Sequence, residues 1–221
     1  MQKSSDPDSG FDRIAWAYDF LAFLIFGHSI KKAQKALLGA IPPQASVLLI
    51  GGGSGWLLKE LLIRCQPYKV VYVEASSKML ALSRKAIHSL PAAPDVEFRQ
   101  GNETTITEQA CFDVVITPFF LDLFTRQRLE NEILPRLFRS LHPRGLWLLT
   151  DFTPSPHWYH RFLLRTMYWF FRKLARIEAN WLPAYAELML QTGMQKREQA
   201  IFYGGFIASG LWINLNGQIM T

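Results

Sequence analysis

The chain has 221 residues, of which 49% are hydrophobic, and a formal net charge of +6 at pH 7. This length suffices for one domain with a full core, and the composition excludes a disordered or low-complexity protein. The positive charge permits nucleic acid or an acidic membrane surface as a partner without selecting either. Cys65 and Cys111 lack metal-ligand spacing and are typical of core residues in a reducing compartment, so we expect a cytoplasmic protein without a metal site.

The N-terminal part is predicted to be a disordered polar leader, residues 1–10, followed by helices. From Phe11 onward, apolar residues recur at helical spacing, and Gly27 is expected to end this first helix. A second helix follows, and its water-facing side is marked by Lys31, Lys32 and Lys35.

Strand and helix patterns then alternate up to Asp151. The strands are apolar on both faces, as they must be in a parallel sheet covered by helices. Such alternation predicts right-handed crossovers and a doubly wound α/β sheet. The predicted strands are 46–50, 69–74, 95–100, 112–117 and 145–151, and the predicted helices are 55–65, 77–89 and 126–141.

After Asp151 the chain is predicted to form a cap, a short helix over 183–193, and two strands, 196–203 and 206–214. The two strands meet at consecutive glycines and predict an antiparallel hairpin. The expected fold is one Rossmann-like α/β domain with a mostly parallel seven-stranded sheet, a C-terminal antiparallel hairpin and a helical cap. Its parts are the N-terminal helices 11–44, the core 45–151, the aromatic-basic cap 152–182 and the closing helix and hairpin 183–221.

A glycine cluster follows the first predicted strand, with glycine at 51, 53 and 55. Glycine allows positive φ and close backbone approach, and a helix N-terminus favours an anionic or polar ligand group. In an open α/β sheet such a loop lies where ligands bind. The G-x-G-x-x-G pattern of dinucleotide sites would need glycine at Trp56, so a nicotinamide cofactor is disfavoured.

Two polar residues end the next strands. Glu74 lies 19 residues beyond Gly55, where a carboxylate could accept hydrogen bonds from a ribose diol. Asn102 follows the third strand and could hydrogen-bond the edge of an adenine ring, or stabilise a turn. Together they indicate a nucleoside.

Asp122 follows the fourth strand, after Phe119 and Phe120. An apolar crevice would raise the pKa of this carboxyl and suit it to act as a base. The alternative, which the pattern favours, is a solvated residue at the start of the next helix.

These motifs, in this order, resemble those of class I S-adenosylmethionine-dependent methyltransferases. The flanks, with Phe11–Ala15 before the core and Gly204–Ala208 after it, more loosely resemble the ubiquinone/menaquinone C-methyltransferase family. The core motifs are Val47–Trp56, Val73–Leu80, Phe98–Glu103, Phe112–Val115 and Leu141–Gly145.

The resemblance implies S-adenosylmethionine as cofactor and a role for each matching residue. Gly51, Gly53 and Gly55 would pass under the methionine part, Glu74 would hold the ribose, Ala75 and Asn102 would contact the adenine, and Thr117 would border the sulfonium.

The chain departs from the family at three positions. Leu49 occupies the place of a usual acid, Asn102 that of a common aspartate, and Arg144 that of a glycine. Leu49 cannot make the polar contact of an acid near the methionine ammonium. We therefore expect lower affinity for the cofactor, or another residue in that role.

The implied function is methyl transfer to a small apolar or aromatic acceptor, with a quinol-like ring as the first candidate. Positioning and exclusion of water would supply most of the catalysis. If the acceptor must lose a proton, the candidate bases are Asp122, His28 and Tyr203. The alternative is an S-adenosylmethionine-binding protein without activity. A nucleic-acid substrate is disfavoured, because basic residues are not interleaved with stacking aromatics.

The cap segment 157–177 combines aromatic residues with Arg161, Arg165, Arg172 and Arg176, which fall within about 60° on a helix. The favoured interpretation is a cap whose aromatic residues pack over the site while its arginines face water. The alternative is peripheral contact with an anionic membrane surface, at its cytoplasmic face.

Overall fold

The computed structural model describes residues 25–90, 95–107, 112–175, 179 and 181–215. The predicted leader, the helix beginning at Phe11, Cys111 and Arg176 lie outside the described residues.

All strands belong to one seven-stranded sheet with the order β3-β2-β1-β4-β5-β7-β6. The first five strands pair in parallel, whereas β7 pairs antiparallel with both β5 and β6. This arrangement confirms the predicted fold class, including the closing hairpin. The strands are β1 Ser46–Ile50, β2 Lys69–Glu74, β3 Asp95–Gln100, β4 Phe112–Pro118, β5 Leu141–Phe152, β6 Met194–Phe202 and β7 Ile207–Asn214.

Helices cover both faces of this sheet. Alternate strand residues point to opposite faces, and each set forms its own core. The core containing Leu49 and Tyr72 packs against α2 and α3, whereas the core containing Leu48 and Val73 packs against α4 and α6. The helices are α1 Ser29–Lys35, α2 Trp56–Cys65, α3 Ser77–Ile87, α4 (Arg126–Arg128, a π-helical turn Leu129–Ile133 and Leu134–Ser140), α5 Trp158–Ala175 and α6 Tyr185–Gln191.

Two elements differ from the prediction in more than one or two terminal residues. The helix predicted over 126–141 contains a π-helical turn, which hydrophobic periodicity does not reveal. The fifth strand begins at Leu141, which pairs with Phe112 before an irregularity in the register. Arg144 adopts a left-handed conformation with φ of 63°, the conformation that glycine would adopt without strain.

The strand order reverses between β1 and β4, which lie side by side although two strands separate them in sequence. A crevice at the carboxyl ends of the strands is therefore expected here, where the connections diverge to opposite faces. No helix in the described part of the chain is long and apolar enough to cross a membrane.

Candidate active site

The glycine loop joins β1 to α2 and has left-handed backbone at three positions. Gly51, Gly53 and Gly55 have φ of 73°, 62° and 88°. A Cβ on Gly55 would lie 2.5 Å from the Cα of Ser83, so this glycine allows α2 and α3 to pack closely. A Cβ on Gly53 would meet nothing within 4 Å. The loop is thus tightly packed against α3 at Gly55 and open at Gly53, where a ligand can approach.

Glu74 lies beside this opening, as the sequence predicts. Its carboxylate accepts hydrogen bonds from the N–H groups of Gly53 and Ser76, both at 3.0 Å. Ala75 lies half-buried between these residues. The Glu74 carboxylate thus holds the loop at Gly53, and its contact with a ribose diol stays a prediction.

Tyr72 is a contact that sequence reasoning missed. Its side chain is fully buried on the same face as Leu49, to which it is paired in register. Its hydroxyl donates a 2.7 Å hydrogen bond to the carbonyl of Gly53. A polar contact therefore reaches the loop from the residue beside Leu49. The available signal was parity: Tyr72 and Glu74 are two apart in a strand and share a face.

Asn102 lies next to Glu74, because the N–H of Gly101 donates to the Glu74 carbonyl at 3.1 Å. The side-chain oxygen of Asn102 accepts hydrogen bonds from the N–H and the hydroxyl of Thr104. It therefore stabilises a turn, which was the alternative interpretation, while lying beside the predicted ribose carboxylate. Contact of Asn102 with an adenine ring stays a prediction.

Thr117 is fully buried in β4, and its hydroxyl oxygen accepts a 2.9 Å hydrogen bond from the Trp147 indole. The side chain thus belongs to the core. The chain leaves the sheet two residues later, at Phe119, whose φ is 50°. With its side chain in the core, Thr117 could border a sulfonium only through its backbone, and this position stays a prediction.

An aromatic cluster occupies the end of the sheet beyond Phe119. The Phe119 ring lies 4.9 Å from the ring of Phe152, at the end of β5. Phe152 also contacts Phe206 at 5.0 Å and Phe26 at 5.4 Å. Four distant segments therefore build one apolar cluster, whose members are Phe26, Phe119, Phe152, Tyr203 and Phe206.

Asp122 is buried, so the favoured interpretation of a solvated helix start is wrong. It lies beside a second buried carboxyl, Asp151, which sequence reasoning missed. The N–H groups of Leu121 and Asp122 donate to Asp151 Oδ2, and that of Phe152 donates to Oδ1 at 2.8 Å. Asp122 Oδ1 has no hydrogen-bond partner in the described part of the chain.

Burial raises the pKa of both carboxyls. For Asp122, burial outweighs the opposing effect of hydrogen bonds, including one with Asp151. For Asp151, burial and repulsion from Asp122 together raise the pKa well above its usual range. The buried hydroxyls of Tyr168 and Tyr185 lie close to the pair. Burial, and then repulsion from the two carboxyls, raises the pKa of both tyrosines above its usual range. Two carboxyls so placed favour holding at least one proton.

The other two candidate bases differ from Asp122. His28 is exposed at the start of α1. The Tyr203 hydroxyl donates a 3.0 Å hydrogen bond to the Ile25 carbonyl, while its ring contacts Phe26 at 5.2 Å. Tyr203 therefore attaches the N-terminal segment to the hairpin, and among the three only Asp122 is part of a buried polar group.

His160 in α5 is a further residue that the sequence did not single out. It is 2% exposed, its ring stacks on Phe206 at 4.7 Å, and its Nδ1 lies 2.7 Å from the Ser155 hydroxyl. Burial lowers the pKa of His160, and the nearby His157 acts in the same direction. A neutral imidazole thus closes one side of the aromatic cluster.

Residues 47–145 match the sequence family described as a methyltransferase domain. The match covers 99 of the 221 residues, and over this stretch the chain is similar to methyltransferase domains. The match contains the glycine loop, Glu74, Asn102 and Thr117, which are the residues predicted to hold the cofactor. No curated protein sequence matches the chain.

Solved structures share the fold of residues 47–145 and of the segments that flank them. A cyclopropane synthase from Mycobacterium tuberculosis superposes with a TM-score of 0.64 at 15% identity, covering 81% of this chain and 82% of that one. The N1-methyltransferase of 1,6-didemethyltoxoflavin from Burkholderia thailandensis, solved with S-adenosylhomocysteine, has a TM-score of 0.65 at 15% identity, with coverages of 94% and 87%. A Bradyrhizobium japonicum N-methyltransferase solved with S-adenosylhomocysteine gives 0.63 at 10% identity, with coverages of 84% and 85%.

These likenesses establish a Rossmann-like methyltransferase fold, and the site fits S-adenosylmethionine as its cofactor. The loop is open at Gly53, and the Glu74 carboxylate lies at the opening. A polar ligand group can thus approach the backbone at Gly53 beside the Glu74 carboxylate.

Proposed function

We propose that the protein transfers a methyl group from S-adenosylmethionine to a small apolar or aromatic acceptor, with a quinol-like ring as the first candidate. The observation that carries the proposal is the aromatic cluster. It lies at the carboxyl end of β4 and β5, beyond the turn at Phe119. The cofactor residues lie at the same end of β1, β2 and β3, so the two sites adjoin.

The cofactor would be held by Gly51, Gly53 and Gly55 under its methionine part, by Glu74 at the ribose, and by Ala75 and Asn102 at the adenine. S-Adenosylmethionine, when bound, supplies a methyl group already activated by its sulfonium. The chain has then mainly to orient the acceptor and exclude water, and the packed rings of the cluster are suited to both tasks.

Asp122 is the residue best placed to take a proton from an acceptor. Its Oδ1 is buried without a partner in the described part of the chain, and Asp151, its carboxyl neighbour, directly precedes Phe152 of the aromatic cluster. A carboxyl with a raised pKa is a stronger base than an exposed one. A hydroxyl acceptor would lose its proton to Oδ1 as its oxygen gains the methyl group.

The resemblance to quinone-pathway C-methyltransferases motivates the quinol-like candidate, and the aromatic cluster supports it by chemistry. Rings stack favourably on rings, and the half-buried rings of Phe119 and Tyr203 are the members of the cluster that an acceptor could contact. We also propose that the chain acts as a single domain in the cytoplasm, at the inner membrane surface.

Calorimetric titration with S-adenosylmethionine tests the cofactor part. The intact protein should bind it, and Glu74→Ala should weaken binding about 10- to 100-fold, the value of lost charge-assisted hydrogen bonds. Gly53→Arg should abolish binding by filling the opening. Glu60→Ala serves as the matched control, because Glu60 pairs with Arg64 on the surface of α2. Absence of binding by the intact protein would refute the proposal.

Transfer of labelled methyl to a panel of quinols, phenols and amines tests the acceptor part. We expect labelling of a ring-bearing acceptor and a strong loss of rate with Asp122→Asn for hydroxyl acceptors. Cofactor binding without transfer to any member of the panel would instead support a binding protein without activity.

A further inference from the structure

The helix α5 has two faces of different character. Its inner face packs on the aromatic cluster through half-buried Leu163, Leu164 and Met167. Its outer face carries Trp158 and Phe162, which are 72% and 67% exposed. The interpretation that the aromatic residues of the cap pack inward is therefore wrong for these two rings. Large rings on an outer helix face are unusual unless something covers them.

Arginines share this outer face. Arg161, Arg165 and Arg172 are exposed, and the sequence of α5 contains no acidic residue. The guanidinium groups of Arg161 and Arg165 have no hydrogen-bond or ion-pair partner within the described ranges. The face thus combines apolar rings with uncompensated positive charge.

The rings and arginines also form a groove. Its volume is about 370 Å³, and its described lining consists of Trp158, Arg161, Phe162 and Arg165. Two guanidinium groups beside two aromatic rings match a phosphodiester with an attached apolar chain, because arginine binds phosphate oxygens and the rings accept the chain.

We propose that the outer face of α5 binds the surface of an anionic phospholipid bilayer. Trp158 and Phe162 would insert among the lipids, and Arg161 and Arg165 would contact headgroup phosphates. Aromatic side chains insert at the boundary of headgroups and acyl chains and arginines are attracted to anionic lipids, and here both kinds of side chain lie on one exposed face. Charge complementarity favours the bilayer over a second copy of this chain, whose corresponding face is also positive.

One consequence rests on the proposed function. The inner face of the same helix packs against the aromatic cluster, so a bilayer bound outside would lie one helix away from the acceptor site. An apolar acceptor dissolved in the membrane would then have a short path to the site. The binding of the bilayer itself does not depend on methyl transfer.

Vesicle flotation with the full chain tests the proposal. One set of vesicles consists of phosphatidylcholine alone, and in the other phosphatidylglycerol replaces part of it. We expect binding to the anionic vesicles that falls as sodium chloride is raised, and far weaker binding to the neutral ones. Equal binding to both sets, or none to either, would overturn the proposal.

Paired variants locate the surface. Arg161→Gln with Arg165→Gln should lower binding about 30-fold, from roughly a fivefold loss for each charge. Trp158→Ser with Phe162→Ser should lower it on the order of tenfold or more. Lys85→Gln with Arg197→Gln is the matched control. These exposed residues lie on α3 and β6, and their substitution removes the same amount of positive charge. Control and test variants with equal losses would contradict the assignment to α5.

Four further measurements separate the alternatives. The circular dichroism spectrum and the calorimetric affinity for S-adenosylmethionine should be the same in all variants as in the unaltered protein. If the unaltered protein does not bind S-adenosylmethionine, the proposed function fails and the bilayer proposal is unaffected. Inorganic phosphate should not displace the protein from vesicles at matched ionic strength. If it does, or if Trp158→Ser with Phe162→Ser instead converts a dimer to a monomer, the surface binds free phosphate or a second copy, and the bilayer proposal fails.

Discussion

The hydroxyl of Tyr72 donates a 2.7 Å hydrogen bond to the carbonyl of Gly53. The N–H of the same glycine donates to Glu74 at 3.0 Å, so both backbone groups of Gly53 are held from β2. The neighbouring strand, which carries Leu49, offers no polar side chain at that level. Position 49 thus lacks the acid that is usual in the family, and the polar contact with the loop comes from the hydroxyl of Tyr72 on the neighbouring strand.

We expect Tyr72→Phe to lower the affinity for S-adenosylmethionine about fivefold and the stability by about 1 kcal/mol, because the Gly53 carbonyl loses a buried donor. Calorimetric titration and denaturant unfolding measure the two effects. Tyr68→Phe is the control, since Tyr68 is 69% exposed at the opposite end of the same strand. An unchanged dissociation constant in Tyr72→Phe would show that the loop holds its shape without the hydroxyl.

Gly52→Ala should lower the free energy of unfolding by about 1–3 kcal/mol through overpacking. Its Cβ would lie 2.5 Å from the Tyr72 ring, which is fully buried. The double variant with Tyr72→Leu lacks the ring. Its loss of unfolding free energy should therefore be smaller than the sum of the two single losses, by about 0.5 kcal/mol or more. Strict additivity in denaturant unfolding would contradict this steric account.

Gly53→Ala and Gly55→Ala should separate the two roles of the glycine loop. Both positions have positive φ, so both variants bear backbone strain of roughly 1–2 kcal/mol. Gly55→Ala also brings a Cβ to 2.5 Å from the Ser83 backbone and should be the less stable of the two. Gly53→Ala should instead lose cofactor affinity, as its methyl enters the opening. The reverse order in thermal unfolding would refute this division.

Arg128→Met should lower stability by about 3 kcal/mol or more. Arg128 Nη2 lies 2.9 Å from Oε1 of Glu103, whose side chain is 1% exposed, and loss of the cation leaves a buried carboxylate. Arg126→Met is the matched control with a much smaller effect, because Arg126 pairs with Glu130 and Glu187 at the exposed surface. Adding Glu103→Gln to Arg128→Met should recover part of the loss in denaturant unfolding. No recovery would mean that packing, not charge, causes it.

Stability should fall as pH rises above about 4, the ordinary carboxyl pKa, because the folded chain retains a proton on the Asp122–Asp151 pair that the unfolded chain has released. Each pH unit over which one full proton is retained removes about 1.4 kcal/mol. Asp122→Asn keeps a neutral donor beside Asp151 and should flatten this slope. Unfolding experiments at a series of pH values measure it, and an unchanged slope would place the retained proton elsewhere.

The sequence predicts the core of the fold closely, because buried parallel strands have an apolar pattern that little else produces. The bounds of β1, β2 and β3 agree with the prediction. It also places Glu74 beside the glycine loop, since strand ends of a parallel sheet meet at one edge. Asp122 was harder, because a polar residue after a strand has the same local pattern whether the following turn is exposed or buried under α5.

Contacts between distant segments escaped prediction for a related reason. His160 is buried only because α5 returns over the hairpin, and the ring of Phe206 that it stacks on lies 46 positions later in the chain. No local pattern encodes that meeting. The direction of Trp158 likewise depends on which side of α5 meets the sheet, and the periodicity of the rings cannot assign that side because rings occur all around the helix.

The aromatic cluster draws Phe26, Phe152 and Phe206 from outside residues 47–145, whereas the cofactor residues lie within them. In the proposed function, the cofactor residues therefore lie within residues 47–145, whereas four of the five rings of the aromatic cluster lie outside them and Phe119 lies inside. Substitutions in the segments on either side of residues 47–145 should then change which acceptor is methylated and leave the binding of S-adenosylmethionine intact.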